Sequence, residues 1–193
     1  GFTGCNINAV LRSGTNDIYG SVFVDYTNED MQGDSIEGED FDVAPFDEMR
    51  YGFTIGAPLI KDTLFIFAAF EKHEPTELFD FGPEGAGFSN PISGLTLANL
   101  EEVRQIASDV YGYEVGQILT SADEAEEKVL VKLDWQINDD HRAALTYQNT
   151  DGNTISSTGA SRFGYAFNDR YYQRANELTA FVASVYSQWN NDF

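Results

Sequence analysis

The chain has 193 residues, 42% of them hydrophobic and 14% aromatic, and its 32 acidic and 11 basic residues give a net charge of −21. This charge repels nucleic-acid phosphates, so we expect no nucleic acid among the partners. The single cysteine, Cys5, excludes an internal disulfide. No apolar run reaches the roughly 18 residues of a membrane-spanning helix.

Alternating apolar and polar residues predict six strands, because successive side chains of a strand point to opposite faces. These strands cover residues 19–27, 50–57, 64–71, the two arms of a hairpin at 128–150, and 176–189. The strand at 64–71 is apolar on both faces. Within the long join that follows it, the apolar residues at 97–110 have helical spacing, and Gly112 predicts the end of one short helix.

The hairpin at 128–150, with its polar turn at 138–141, shows the clearest alternation. One face carries Val129, Val131, Leu133, Ala143 and Leu145, and the other carries Lys132, Asp134, Arg142 and Gln148. A soluble antiparallel sheet and a membrane barrel both produce this pattern, since each has one face in an apolar medium and one in water.

The joins between the predicted strands alternate in length. Long joins at 28–48, 72–127 and 151–175 are separated by short ones at 58–62 and 138–141. Outer-membrane barrels have short turns at one rim and long loops at the other, whereas a soluble sandwich has no reason to sort its loops in this way. The predicted fold is therefore all-β, an antiparallel transmembrane β-barrel segment of about six strands with one short helix in an extracellular loop.

Two segments resemble TonB-dependent outer-membrane receptors, and more narrowly their Oar-like group. Residues 3–23 read TGCNINAVLRSGTNDIYGSVF and are similar to that group's plug-to-barrel junction, TGG-x-INVVTKSGTNEFHGS. Residues 52–67 read GFTIGAPLIKDTLFIF and are similar to GFTLGGPIIKDKLFFF. The chain departs from the first pattern at Cys5, where a second glycine is usual.

The resemblance implies that residues 1–16 are the C-terminal end of a plug domain. Residues 17–193 are then the N-terminal part of a plugged barrel of ~22 strands. Ser13, Gly14, Thr15 and Asn16 become the expected plug–barrel hinge, where Gly14 suits a turn because glycine tolerates positive φ. The inward-facing Phe65 and Phe67 are expected to contact the plug instead of water.

The function implied by the resemblance is uptake of an extracellular ligand by a receptor in the outer membrane of a Gram-negative bacterium. Its expected partners are outer-membrane lipid, the ligand, and TonB, which would bind a segment upstream of this chain. The sequence contains no nucleophile elbow, P-loop or paired-carboxylate arrangement, so we expect neither an enzyme nor a bound cofactor.

The join at 28–48 is strongly acidic, and it supplies low-ranking candidates for binding a ligand or a cation: Asp34, Glu37, Glu39, Asp40 and Asp42. Carboxylates are ligands for hard cations, but the spacing of a calcium-binding loop is absent, so a solvated acidic surface is the favoured interpretation. Two alternatives remain open. One is a soluble or secreted β-sandwich that uses these loops to bind a cation or glycan, and the other is a small complete barrel.

Overall fold

The computed structural model describes residues 10–33, 35–40 and 44–190, without the side chains of Ile36, Glu39 and Asp40. Cys5, Asp34 and Asp42 lie outside the described residues. The strands of the large sheet are β1 (Tyr19–Asn28), β4 (Asp47–Ile60), β5 (Leu64–Glu74), β10 (Ala125–Gln136), β11 (His141–Ser156) and β12 (Tyr172–Ser187). The long joins contain β2 (Ser35–Ile36), β3 (Glu39–Asp40), β6 (Thr76–Leu78), β7 (Phe81–Glu84), β8 (Asn90–Thr96), β9 (Ser121–Asp123) and the helix α1 (Leu97–Tyr111).

The large sheet confirms all six predicted strands. Its order is β1-β4-β5-β10-β11-β12, and every neighbouring pair is antiparallel. β1 and β12 stand at opposite edges and do not pair with each other, so the hypothesis of a small complete barrel is wrong for the described strands. The described residues also contain no second large sheet, which a β-sandwich requires.

The register gives the large sheet a polar face and an apolar face. On the polar face, one cross-strand row runs Tyr19, Gly56, Phe67, Lys132, Thr146 and Val182. On the apolar face, an adjacent row runs Ala57, Ile66, Leu133, Leu145 and Ala183. The side chains that the sequence assigned to opposite sides of the 128–150 hairpin are separated in the same way.

No other element of the described chain covers the apolar face. Val22 is 83% exposed, and Phe181 and Val185 are each 71% exposed. Of the buried hydrophobic residues, only Phe67 belongs to the large sheet. Apolar surface this extensive requires an apolar medium or a partner.

The apolar face ends abruptly toward the long joins. Beyond Phe53, Phe70 and Val129, the next outward row consists of Val24, Tyr51, Lys72, Glu127, Asp151 and Glu177. Four of these six side chains are charged, so the apolar surface of β5, β10, β11 and β12 ends at this row. The strands continue past it: β11 reaches Ser156 and β12 begins at Tyr172.

The two short joins, residues 61–63 and 137–140, lie at the opposite end of the sheet from the long ones. The helix α1 begins at a capping box formed by Thr96 and Asn99 and ends at Gly112, whose φ of 61° is left-handed. This confirms the predicted helix and its end. In the described part of the chain, no helix has the length and hydropathy needed to cross a membrane.

Candidate functional site

Residues 10–16, which we call the junction segment, lie against the polar face near the short joins. The Tyr19 hydroxyl donates to the Ser13 carbonyl over 2.6 Å, and the Lys132 ammonium donates to Ser13 Oγ over 2.7 Å. Phe67, beneath the segment, is 5% exposed, and its ring stacks on that of Tyr19 with centroids 6.5 Å apart. The sequence-based expectation that Phe67 faces protein instead of water is confirmed.

Gly14 is buried where the junction segment crosses β4 and β5. A Cβ added there would lie 2.8 Å from the carbonyl oxygen of Ala57, and closer still to that of Ile66. Its φ is not positive, so the turn-based reason expected for this glycine is wrong. Glycine is required because the two backbones approach too closely for a side chain.

Asn16 joins the end of the junction segment to the first short join. Its Nδ2 donates to Asp62 Oδ1 over 2.5 Å, and the backbone N–H of Asp62 donates to Asn16 Oδ1 over 2.8 Å. Asp62 has a left-handed φ of 62°, which aspartate tolerates better than most residues. Thr15 Oγ donates locally, to the Asp17 carbonyl. The predicted hinge residues are therefore tethered to the sheet at both ends, by Ser13 and Asn16.

Lys132 also forms an ion pair with Asp134, two residues along β10 on the same face. The distance from Nζ to Oδ1 is 3.1 Å, and the two side chains are 14% and 25% exposed. Asp134 Oδ2 is buried and has no hydrogen-bond partner among the described residues. The lysine therefore connects the sheet to the junction segment while remaining neutralised by a carboxylate of its own strand.

A cavity of about 570 Å³ lies between the junction segment and the polar face of β10 to β12. Its walls include Leu11, Lys132, Asp134, Arg142 and Tyr186. The Arg142 guanidinium lies over the Tyr186 ring, 4.3 Å from the centroid. Phe65 also lines this cavity, together with Ser13 and Gly14, as expected for an inward-facing residue.

Toward the long joins, the polar face carries a second, separate charge network. Arg50 pairs with Glu71 at 2.7 Å, and Lys128 pairs with Glu126 at 2.6 Å and with Glu71 at 3.5 Å. None of these side chains contacts the junction segment through a hydrogen bond or ion pair in the described structure. The polar face therefore carries charged side chains both near the short joins and toward the long joins, and in the described structure the junction segment contacts it near the short joins.

Of the acidic candidates in the 28–48 join, only Glu37 has a described side chain. Glu37 is exposed and, with Gly38, forms the positive-φ turn between β2 and β3. Glu39 and Asp40 lie in β3, but their side chains are outside the description, as are Asp34 and Asp42. Among the described residues, no group of three or more His, Cys, Asp or Glu side chains could hold a metal ion.

The joins at 75–124 and 157–171 pack together into one loop unit, which sequence reasoning missed. Phe79 packs edge-on to Tyr171 with ring centroids 4.8 Å apart, and Phe88 packs against Tyr165 at 6.0 Å. The Tyr113 hydroxyl donates to Asp169 over 2.5 Å, and this bond raises the pKa of Tyr113. Phe79, Phe88 and Phe167 are all buried, so the loop unit has the only substantial apolar core in the described chain.

Glu77 gives the loop unit a pH dependence. Its pKa is raised, first because partial burial disfavours the charged carboxylate, and then because Glu124 and Asp80 are nearby. A raised folded-state pKa stabilises the fold at low pH, and this contribution disappears as the pH rises through the raised pKa. Amides of β6 and β9 should therefore exchange with solvent faster above this pKa than below it.

Glu77→Gln should remove this difference in the full-length protein, as measured by hydrogen exchange between pH 4 and pH 7 after correction for the intrinsic rate. The effect is small because most of the Glu77 side chain is exposed to solvent and only part of it is buried. Glu102→Gln, at an exposed position on α1, is the matched control and should leave the profile unchanged. An unchanged profile in Glu77→Gln would contradict the assignment.

The geometry has counterparts among known proteins. Residues 10–77 match the family described as "Outer membrane beta barrel domain". The matched range includes the junction segment and β1 to β5. The large sheet is a segment of an outer-membrane β-barrel. The barrel segment therefore lies in the outer membrane of a Gram-negative bacterium, and its uncovered apolar face is the lipid-facing surface of the barrel wall.

The barrel segment also has a named relative. This chain is 38% identical over 74 residues to "TonB-dependent transporter Oar" of Myxococcus xanthus. The match covers 35% of this chain and 7% of that protein. The chain thus corresponds to a small part of the relative's length. No solved structure matches it.

Sequence reasoning identified the inward orientation of Lys132 but not its role. Its partner Ser13 is 119 residues away, and no local pattern encodes that contact. The conspicuous signal for the junction was the resemblance at residues 3–23. It singles out residues 13–16 as the expected hinge, but it does not indicate that Tyr19, Asp62 and Lys132 hold these residues.

Proposed function

We propose that the chain is part of a TonB-dependent outer-membrane transporter that takes up an extracellular ligand and has no enzymatic activity of its own. The observation that carries this proposal is the junction segment, held on the polar face of a sheet whose other face is apolar. A pore-forming barrel needs a polar lumen but no N-terminal segment held inside it. A barrel opened by a pulled plug needs both.

In this proposal, residues 1–16 end the plug domain and residues 17–193 begin the barrel. The short joins are periplasmic, and the long joins, including the loop unit, are extracellular. A ligand binds the extracellular loops and the plug apex, and energised TonB pulls on an upstream segment to open a path. Residues 13–16 are the hinge between the moving plug and the fixed wall. The acidic candidates around Glu37 remain candidate ligand contacts.

The test uses the full-length protein purified from outer membranes. We expect it to bind the periplasmic domain of TonB in calorimetry, and we expect binding to be lost when the segment upstream of the plug is deleted. A full-length protein that is found in the outer membrane but does not bind TonB would refute the transporter proposal while leaving the barrel assignment intact.

A further inference from the structure

We propose that Lys132 is a positioning residue that holds the plug end in the barrel, and that Asp134 allows this contact to be released. The inference rests on the proposed function, since it assigns the contact that must be made at rest and broken during transport. Lys132 lies in the barrel wall on β10, whereas its partner Ser13 lies in the junction segment.

The contact is short and sheltered. Lys132 Nζ lies 2.7 Å from Ser13 Oγ, and its side chain is only 14% exposed, so water competes weakly for the bond. Ser13 is held a second time through its carbonyl, which accepts the Tyr19 hydroxyl at 2.6 Å. Of these two hydrogen bonds to Ser13, only the one from Lys132 has a charged donor. Hydrogen bonds with a charged donor are stronger than those between neutral groups.

Breaking the contact would ordinarily leave a sheltered ammonium without a partner, which is strongly unfavourable. Asp134 prevents this because it already neutralises Lys132 through Oδ1, at 3.1 Å. Its Oδ2 is buried and unpartnered among the described residues, so a second acceptor is available when Ser13 leaves. The adjoining cavity of about 570 Å³ gives the lysine room to turn toward it.

This arrangement predicts opposite effects for the two members of the ion pair. Removing the lysine weakens the closed state, because Ser13 loses its charged donor. Removing the carboxylate charge penalises the open state more than the closed one, because the ammonium keeps Ser13 Oγ in the closed state but has neither Ser13 nor a carboxylate in the open state. An ion pair that merely stabilised β10 would loosen the segment in both variants.

The experiment measures hydrogen exchange of the backbone amide of Gly14, the buried residue of the junction segment, in the full-length protein in detergent. Lys132→Met should speed its exchange roughly tenfold or more, as expected for loss of a hydrogen bond to a charged group. Lys132→Arg should restore most of the protection. Lys128→Met, which removes an inward-facing lysine paired with Glu126 and Glu71, should leave the exchange of the Gly14 amide unchanged.

Two further variants make the test specific. Ser13→Ala should speed exchange as Lys132→Met does, and the double variant should be no faster than either single one, because both remove the same bond. Asp134→Asn should slow exchange. We call the contact of Lys132 with Ser13 and Asp134 the latch. If Asp134→Asn speeds exchange, or if the Ser13 and Lys132 effects add, the proposed latch is wrong.

These outcomes are independent of TonB binding. A protein that fails to bind TonB but shows the opposite-sign pattern would retain the latch and lose the transporter proposal. The reverse result would retain the transporter and refute the latch. If Lys132→Met fails to assemble in the membrane, the Ser13→Ala and Asp134→Asn comparison decides the question.

Discussion

Leu133→Arg should prevent or strongly destabilise assembly of the barrel, whereas Leu130→Arg should be tolerated. The two leucines are three residues apart on β10, but the register places them on opposite faces. Leu133 stands between Ile66 and Leu145 on the apolar face, and Leu130 stands between Ala69 and Gln148 on the polar face. An arginine on the lipid face costs about 2–4 kcal/mol near the membrane midplane, and inward substitutions cost much less.

The measurement is the fraction of full-length protein that reaches the outer membrane in folded form, followed by its unfolding in denaturant in lipid vesicles. Matching the residue type, the strand and the introduced charge leaves the direction of the side chain as the main difference between the variants. Equal destabilisation by both substitutions would mean that neither face is in water. A defect confined to Leu130→Arg would mean that the two faces have been assigned the wrong way round.

The six strands could be predicted because alternation is a local property of the chain. Each residue of β10 reports its own face, so the pattern at Val129, Val131 and Leu133 needs no knowledge of the neighbouring strands. The strand ends were predicted less well. β11 extends six residues past the predicted end at residue 150, to Ser156, and β12 begins at Tyr172 instead of 176.

These longer strands have a physical reason. At the row that contains Lys72, Glu127 and Asp151, the apolar face gives way to charged side chains, and the apolar signal disappears from the sequence. The backbone ladder between β11 and β12 nevertheless continues, because hydrogen bonds between strands do not depend on which medium surrounds the side chains. Alternation therefore marked the part of each strand in the apolar medium and not the whole strand.

The loop unit and the latch could not be predicted for a different reason. Phe79 meets Tyr171 across more than ninety residues of chain, and Lys132 meets Ser13 across 119. A single sequence contains no record of which distant residues meet. The resemblance singles out residues 13–16, but where a turn is predicted at Gly14 the structure has a close backbone crossing.

Gly14→Val should dislodge the junction segment from the barrel wall. An added Cβ would overlap the carbonyl oxygens of Ile66 and Ala57, which belong to hydrogen-bonded strands and cannot move aside as a flexible side chain would. Overpacking of this kind costs about 1–3 kcal/mol. Because Ser13 directly precedes Gly14, its hydrogen bonds to Tyr19 and Lys132 should be lost when the segment is dislodged.

Trypsin provides the measurement, since Arg12 lies directly before Ser13 and there is no other lysine or arginine until Arg50. Cleavage after Arg12 in the folded full-length protein requires the junction segment to detach, so its rate reports the population of the detached state. The expected acceleration is roughly 5- to 150-fold, which corresponds to the overpacking energy. Gly33→Val is the matched control, because a Cβ there meets nothing within 4 Å. If Gly14→Val is cleaved at the wild-type rate, the close backbone crossing does not hold the segment in place, and the tether must depend on Ser13 and Asn16.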